Sequence, residues 1–302
     1  MKCLIVGCGY VGLPLGAELV RLGHEAFGLR RNASAENELK AAGIQPLFGD
    51  VTQPETLARL PREFDWVVNC VAAGGGADDY WQVYLQGTRN LIEWLAPNPP
   101  KKFVYTSSTS VYGQTDGSQV KESSPTEPFV ETAKILVETE KLLLAAVQEK
   151  KFPAVILRVA GIYGPGRGHW FKQFLKNEAR MEGDGSRFLN MIHRDDLIGC
   201  IIAALKNGRA GEIYNAVDDE PVSQMDFFQW LAEELGKPPP PAVPGNPEEN
   251  RKRGLTSKRV SNRKLKMELG CQFNYPNFRK GYTAEILRLE REGGLDVLPD
   301  GR

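Results

Sequence analysis

Short apolar runs alternate along the first half of the chain with stretches whose apolar residues recur every three to four positions. Residues 3–6, 25–29, 66–70 and 103–106 are short and apolar, often beside glycine or proline, and predict strands. Residues 13–22 and 83–95 have helical spacing. The clearest predicted helix is 132–147, where Ile135, Leu136, Leu142, Leu143 and Ala146 make one stripe and Lys134 and Glu138 form an i,i+4 pair. A further strand is predicted over 154–159. Strands alternating with helices predict an α/β fold, a doubly wound parallel sheet covered on both faces. The second half changes character. Glycine-rich 164–168 is a loop, with predicted helices at 170–180, 194–205 and 225–235 and a strand at 212–217. Four prolines at 238–241 then stiffen the chain. The pattern predicts a main domain over 1–165, to which 191–236 return, and a small C-terminal substrate lobe from 166–190 and 237–302.

Charge narrows the partners. The 302 residues carry 38 basic and 38 acidic side chains, so the chain lacks the electrostatic footprint of a general nucleic-acid binder. The basic run at 251–263 reads as a solvated surface. No apolar run approaches the roughly 20 residues that span a bilayer, and the apolar N-terminal stretch is too short for a signal peptide. Five scattered cysteines and three histidines show neither a disulfide framework nor metal-ligand spacing. A cytoplasmic protein with a small-molecule substrate, no nucleic acid and no membrane partner is expected. No G-x-S-x-G elbow marks a hydrolase. The tail from residue 292 is expected to fray.

Gly7-Cys8-Gly9-Tyr10-Val11-Gly12 is a G-x-G-x-x-G between a predicted strand and a predicted helix, the context that a dinucleotide turn requires. Gly7 permits the tight turn, Gly9 lets a diphosphate approach the backbone, and Gly12 lets helix and strand pack closely. At the end of the second strand an acidic residue would hold a ribose 2′-hydroxyl. Arg30 and Arg31 stand there instead, and guanidinium forks suit a 2′-phosphate, so NADP is expected over NAD.

With these motifs the chain resembles the extended short-chain dehydrogenase/reductase superfamily, also called the NAD-dependent epimerase/dehydratase family, over about its first 235 residues. The likeness rests on strings in the family's order: Gly49-Asp50-Val51, Asp65 to Ala72, Gly87-Thr88-Arg89-Asn90-Leu91, Val104 to Gly113, Arg158 to Gly166 and Met191 to Leu197. It implies a Rossmann domain with a smaller substrate lobe, and a possible homodimer. It also implies cofactor contacts from Asp50, Val51, Cys70, Val71, Ala72, Gly161 and Ile162. Gly9 to Leu15 also resembles the opening of longer nucleotide-sugar dehydrogenases, a local match only.

The family's chemistry uses Tyr-x-x-x-Lys on one helix and a serine that holds the substrate oxygen. The resemblance puts Ser108 in the serine's place and Lys134, with Glu138 four residues on, in the lysine's place. Four residues before Lys134 stands Val130, and one before that Phe129. Neither has a proton to give. The chain thus resembles an atypical branch lacking the catalytic tyrosine. Tyr112 is the first substitute proton donor, with Tyr84 and Tyr163 behind it. His193 is expected to be structural, with Asp195 and Asp196 capping or orienting the next helix. Two functions stay open: an NADP-dependent oxidoreductase or epimerase/dehydratase-like enzyme on a sugar-like or polar hydroxylated compound, and a non-catalytic NADP(H)-binding sensor or regulator.

Overall fold

The computed structural model describes residues 1–244 and 256–293. Seven strands form one sheet: β1 (Lys2–Val6), β2 (Glu25–Arg30), β3 (Gln45–Phe48), β4 (Trp66–Asn69), β5 (Lys102–Ser108), β6 (Ala154–Val159) and β7 (Ile213–Ala216). Their order is β7-β6-β5-β4-β1-β2-β3, and every pairing is parallel. The winding reverses between β1 and β4, which opens a crevice at the carboxyl edge where such sheets bind ligands. β3 has no counterpart in the hydrophobic pattern. It contains Pro46, which an edge strand tolerates because one of its sides needs no ladder bond.

Alternation along the strands splits the interior into two cores. Cys3 and Ile5 of β1 face one layer, with Leu15 and Leu19 of the Gly12–Arg21 helix and Ile198 and Ile201 of the Arg194–Asn207 helix. Leu4 and Val6 face the other, with Leu91 and Leu95 of the Gly87–Leu95 helix and Leu143 and Ala146 of the Glu131–Lys150 helix. Burial on both faces explains why these strands read as continuous apolar runs. The segment expected as a helix from 83 starts earlier, at Ala77–Tyr80, and passes through a π-helical segment, Trp81–Gln86, before Gly87–Leu95. Such π segments often mark functional sites.

A third core builds the small lobe. Phe171 and Phe174 pack with Phe227, Phe228 and Leu231 and with Phe278, Tyr282 and Ile286. The Gln224–Leu235 helix joins this core through Phe227, Phe228 and Leu231, and Tyr163, Met191 and Val222 join it from the main domain's side. The predicted 170–180 helix is shorter, His169–Leu175. Much of the basic run, 251–255, lies outside the described residues, as does the tail from 294. Lys258 departs from the solvated reading: it is 4% exposed, its Nζ donating to the Tyr112 carbonyl and to Thr256 Oγ1. Burial lowers its pKa to about 8.

Candidate functional site

A cavity of about 470 Å³ runs along the carboxyl edge of the sheet, within the range of cofactor sites. Its floor is the ends of the strands: Val6 and the glycine turn after β1, Arg30 after β2, Gly49 and Asp50 after β3, Cys70 to Ala72 after β4, Ser108 after β5, and Val159 and Ala160 after β6.

The turn at the cavity's middle is constrained by sterics. Gly7 has φ +85°, and a Cβ there would stand 2.7 Å from the Val71 backbone. A Cβ on Gly12 would meet the Gly7 carbonyl at 2.7 Å and Ile5 at 2.9 Å. Gly12 itself does not line the cavity; it lets the helix close on β1. Gly9 is different. A Cβ there would touch no protein atom within 4 Å, so only something outside the chain requires its smallness. No side chain caps the start of the Gly12–Arg21 helix, which leaves its dipole directed at the turn. The residues thus fit a dinucleotide's diphosphate.

The end of the cavity beside β2 and β3 is polar. Arg30 donates to the Cys8 carbonyl and lies 3.8 Å from Glu38. Arg31 is exposed at the rim, and Asn32 lines the wall. Asp50 Oδ1 accepts from the backbone and side chain of Thr52, which fixes the carboxylate at the wall. Gly7, Gly9, Tyr10, Val11, Val51, Cys70, Val71, Ala72 and Ile162 also line the cavity; Gly161 does not. Burial pushes the Cys70 thiol far above its ordinary pKa and Cys8 to about 12, so neither supplies a thiolate.

The end beside β5 and β6 differs from the sequence reading at two of three residues. Ser108 lines the cavity. Its Oγ accepts the Ser110 N–H at 3.1 Å and so caps the short turn Thr109–Val111, leaving its own proton free to donate. Tyr112 is fully buried away from the cavity. Its hydroxyl donates to Asn215 Oδ1 and accepts from Arg158, each at 2.8 Å. Lys134 also stays outside: its side chain is 53% exposed and pairs with Glu131 at 3.3 Å. Leu136 lines the cavity instead. Two residues on a helix turn the side chain by roughly 200°, so Lys134 and Leu136 occupy opposite faces.

A buried ion pair sets that rotation. Arg158 on β6 grips Glu140 through Nε and a terminal nitrogen, at 2.7–3.1 Å, and Ser107 Oγ donates to Glu140 at 2.6 Å. Both charged side chains are about 5% exposed or less. The pattern read as Lys134 with Glu138 is therefore displaced by two residues: Glu140 is the acid held inside. Counting back by four gives Leu136 and then Thr132, which is also buried. Ser107 and Thr106 line the cavity, and Tyr84 of the π-helical segment and Tyr80 of the Ala77–Tyr80 helix reach it. Tyr84 accepts the Ala73 N–H at 3.3 Å.

His193 is structural. Its Nδ1 accepts the Asp195 N–H at 3.2 Å and caps the Arg194–Asn207 helix, while its ring packs on Tyr275 at 3.8 Å. Burial lowers its pKa to about 4. Asp196 accepts from the backbone of Asn274 and Tyr275 rather than capping its own helix. Tyr163 is buried in the lobe and stacks on Tyr282 at 4.5 Å. Sequence reasoning missed Leu136, Thr106, Tyr80 and Arg167, the last being an exposed guanidinium on the loop after the Gly161–Tyr163 strand. The described residues hold no His/Cys/Asp/Glu cluster able to bind a metal and no helix long and apolar enough to cross a membrane.

A parallel sheet wound in this order around a glycine turn defines a nucleotide-binding α/β protein. Residues 3–216 match the NAD dependent epimerase/dehydratase family, and the chain belongs to it. It is 28% identical to Protein YeeZ of Escherichia coli over 91% of this chain and 97% of that one. A solved structure from Methylobacillus flagellatus, described as a candidate NAD-dependent epimerase/dehydratase, is 33% identical with a TM-score of 0.76, covering 96% of this chain and 98% of that one. DesIV, a dTDP-glucose 4,6-dehydratase of Streptomyces venezuelae, shares the fold at 22% identity, with a TM-score of 0.83 and coverage of 97% and 98%.

Proposed function

We propose that the chain binds NADP(H) in this cavity and does not run the family's tyrosine-based proton transfer. The carrying observation is the helix rotation fixed by Glu140 and Arg158, which turns Leu136 to the cavity and Lys134 to solvent. At the four-residue spacing the tyrosine and lysine positions are then held by Thr132 and Leu136. Leucine cannot donate to a ribose or lower a neighbour's pKa, and a threonine hydroxyl does not ionise in the neutral range.

Bound NADP(H) supplies hydride chemistry. The chain's own residues bind and position it. Gly7, Gly9 and the helix start receive the diphosphate, Asp50 and Val51 wall the adenosine, and Arg30 and Arg31 favour the 2′-phosphate. Ser108 keeps a hydroxyl proton for an acceptor at the nicotinamide end. Regulation or sensing of the cofactor's redox state is the function this set supports best.

A second reading keeps turnover. It is favoured by Ser108, Tyr80 and Tyr84 lining the same end of the cavity. Under it the substrate is a hydroxylated compound, such as the nucleotide sugar named for the Streptomyces relative, and Tyr84 or water moves the proton.

The test pairs binding with turnover. NADPH is expected to bind more tightly than NADH, and Arg31→Asp to narrow that gap by about tenfold, or about 1.4 kcal/mol. A panel of aldehydes, ketones and nucleotide sugars is expected to give no cofactor oxidation. The double variant Thr132→Tyr/Leu136→Lys is expected to raise turnover, whereas Val130→Tyr is not. Turnover by the unmodified chain that Tyr84→Phe abolishes establishes the second reading. Equal affinities for the two cofactors overturn the NADP assignment.

A further inference from the structure

We propose that Arg167 and Tyr10 form a clasp that closes over the dinucleotide's diphosphate from the small-lobe side. This rests on the reading of the cavity as a dinucleotide site and adds a binding group that the glycine turn does not contain.

Arg167 is held by its backbone. Gly164 and Arg167 exchange two hydrogen bonds, at 3.0 and 2.8 Å, around Pro165 and Gly166. Proline at the first central position and glycine at φ +68° at the second give a type II turn, which needs that glycine. The turn is pinned from outside: Gly166 N–H donates to Glu285 Oε1 at 2.9 Å, on the Phe278–Arg291 helix. A Cβ on the following Gly168 would stand 2.9 Å from the Tyr282 hydroxyl, so the loop lies directly on that helix. The position of Arg167 is therefore set by the small lobe.

Its side chain reaches back to the sheet. The guanidinium lies 4.9 Å from the centroid of the Tyr10 ring, and Arg167 lines the cavity. Arg194 stands 5.4 Å from the same ring, but its Nε is engaged with Asp195 at 2.8 Å. Tyr10 belongs to the glycine turn itself. Its hydroxyl is buried away from the cavity, so the ring and not the hydroxyl is what it offers the guanidinium. The ring of Tyr10 thus holds the Arg167 guanidinium beside the glycine turn, where a cation lining the cavity fits an anionic oxygen. The phosphate oxygens expected between Gly9 and the helix start are the nearest chemistry that supplies one. A substrate diphosphate offers the same oxygens, but the place of Tyr10 within the glycine turn favours the cofactor's.

The experiment is titration calorimetry of the full chain with NADPH, NADH, ADP-ribose and adenosine 2′-monophosphate. Arg167→Ala is expected to weaken the first three by about 10- to 100-fold. It should leave the NADPH-to-NADH ratio and the 2′-monophosphate, which has no diphosphate, unchanged. Arg167→Lys should fall between, and Tyr10→Ala, which removes the ring under the guanidinium, should lose a few-fold. Unaltered thermal unfolding of Arg167→Ala excludes a folding defect. Parent-like binding of ADP-ribose by Arg167→Ala overturns the clasp while leaving the dinucleotide site intact. So does a loss confined to uridine diphosphate added to NADPH-loaded protein, which assigns the arginine to a second ligand. Failure of the unmodified protein to bind any dinucleotide overturns both readings.

Discussion

The two ends of one cavity have been treated differently by the sequence. At the end beside β1, β2 and β3, the backbone turns on glycine and a polar wall is a fixed side chain: Gly7 at φ +85°, Gly9 open to the cavity, Asp50 locked by Thr52. At the Ser108 end, the hydroxyls of Thr106, Ser108 and Tyr84 remain, but the helix that should bring a proton relay presents Leu136. The polar investment has moved one layer inward, to Arg158, Glu140, Ser107, Tyr112 and Asn215, which bond to each other. Binding geometry and reaction chemistry are thus separable in this fold. The first depends on the strand ends, and the second on the rotation of one helix.

The largest expected effect is at the foundation of the Ser108 end. Glu140→Ala leaves Arg158 buried without its counter-ion and should cost about 3–5 kcal/mol in urea unfolding. A loss under about 1 kcal/mol would mean that the pair does not set the helix rotation. Gly9→Val sharpens the contrast from the other end. An added Cβ meets no protein atom within 4 Å, so stability should stay within about 1 kcal/mol for Gly9→Ala and be only slightly lower for the valine, while NADPH affinity of Gly9→Val should fall by about 100-fold, or about 2.7 kcal/mol. Calorimetry and thermal unfolding of the same variant separate the two.

His193 tests whether the junction holds a structural or a reactive histidine. Its pKa of about 4 in the folded chain lies below the ordinary 6.5. Below pH 6.5 the unfolded chain therefore takes up a proton that the folded chain refuses. Stability should fall between pH 6.5 and 4 by on the order of 2 kcal/mol. His193→Asn, which can still cap, should flatten that segment of the profile; an unchanged slope assigns the loss to other groups. The smallest effect is expected for Lys134→Ala. Its pair with Glu131 is exposed, so its removal should cost under about 0.5 kcal/mol by chemical unfolding.

What the sequence made legible follows from the range of each interaction. The glycine turn, most of the strands and the helix over 132–147 are local signals, and each appears within a few residues of its expected place. The rotation of that helix was not legible. Leu136 with Glu140 and Lys134 with Glu138 are equally good four-residue pairs, and the partner that decides between them, Arg158, lies on another strand. Tyr112 misled for the same reason: its hydroxyl is taken by Asn215, 103 positions away. Arg167 carried no local motif, because its relation to Tyr10 exists only once the small lobe has folded against the sheet.

The most direct test titrates NADPH into the unmodified chain and into Lys134→Ala side by side. Saturable binding with the same affinity in both is the predicted result, since Lys134 faces solvent and Leu136 faces the cavity. A loss of tenfold or more in Lys134→Ala would place that lysine on the cofactor and contradict the helix rotation on which the proposal rests.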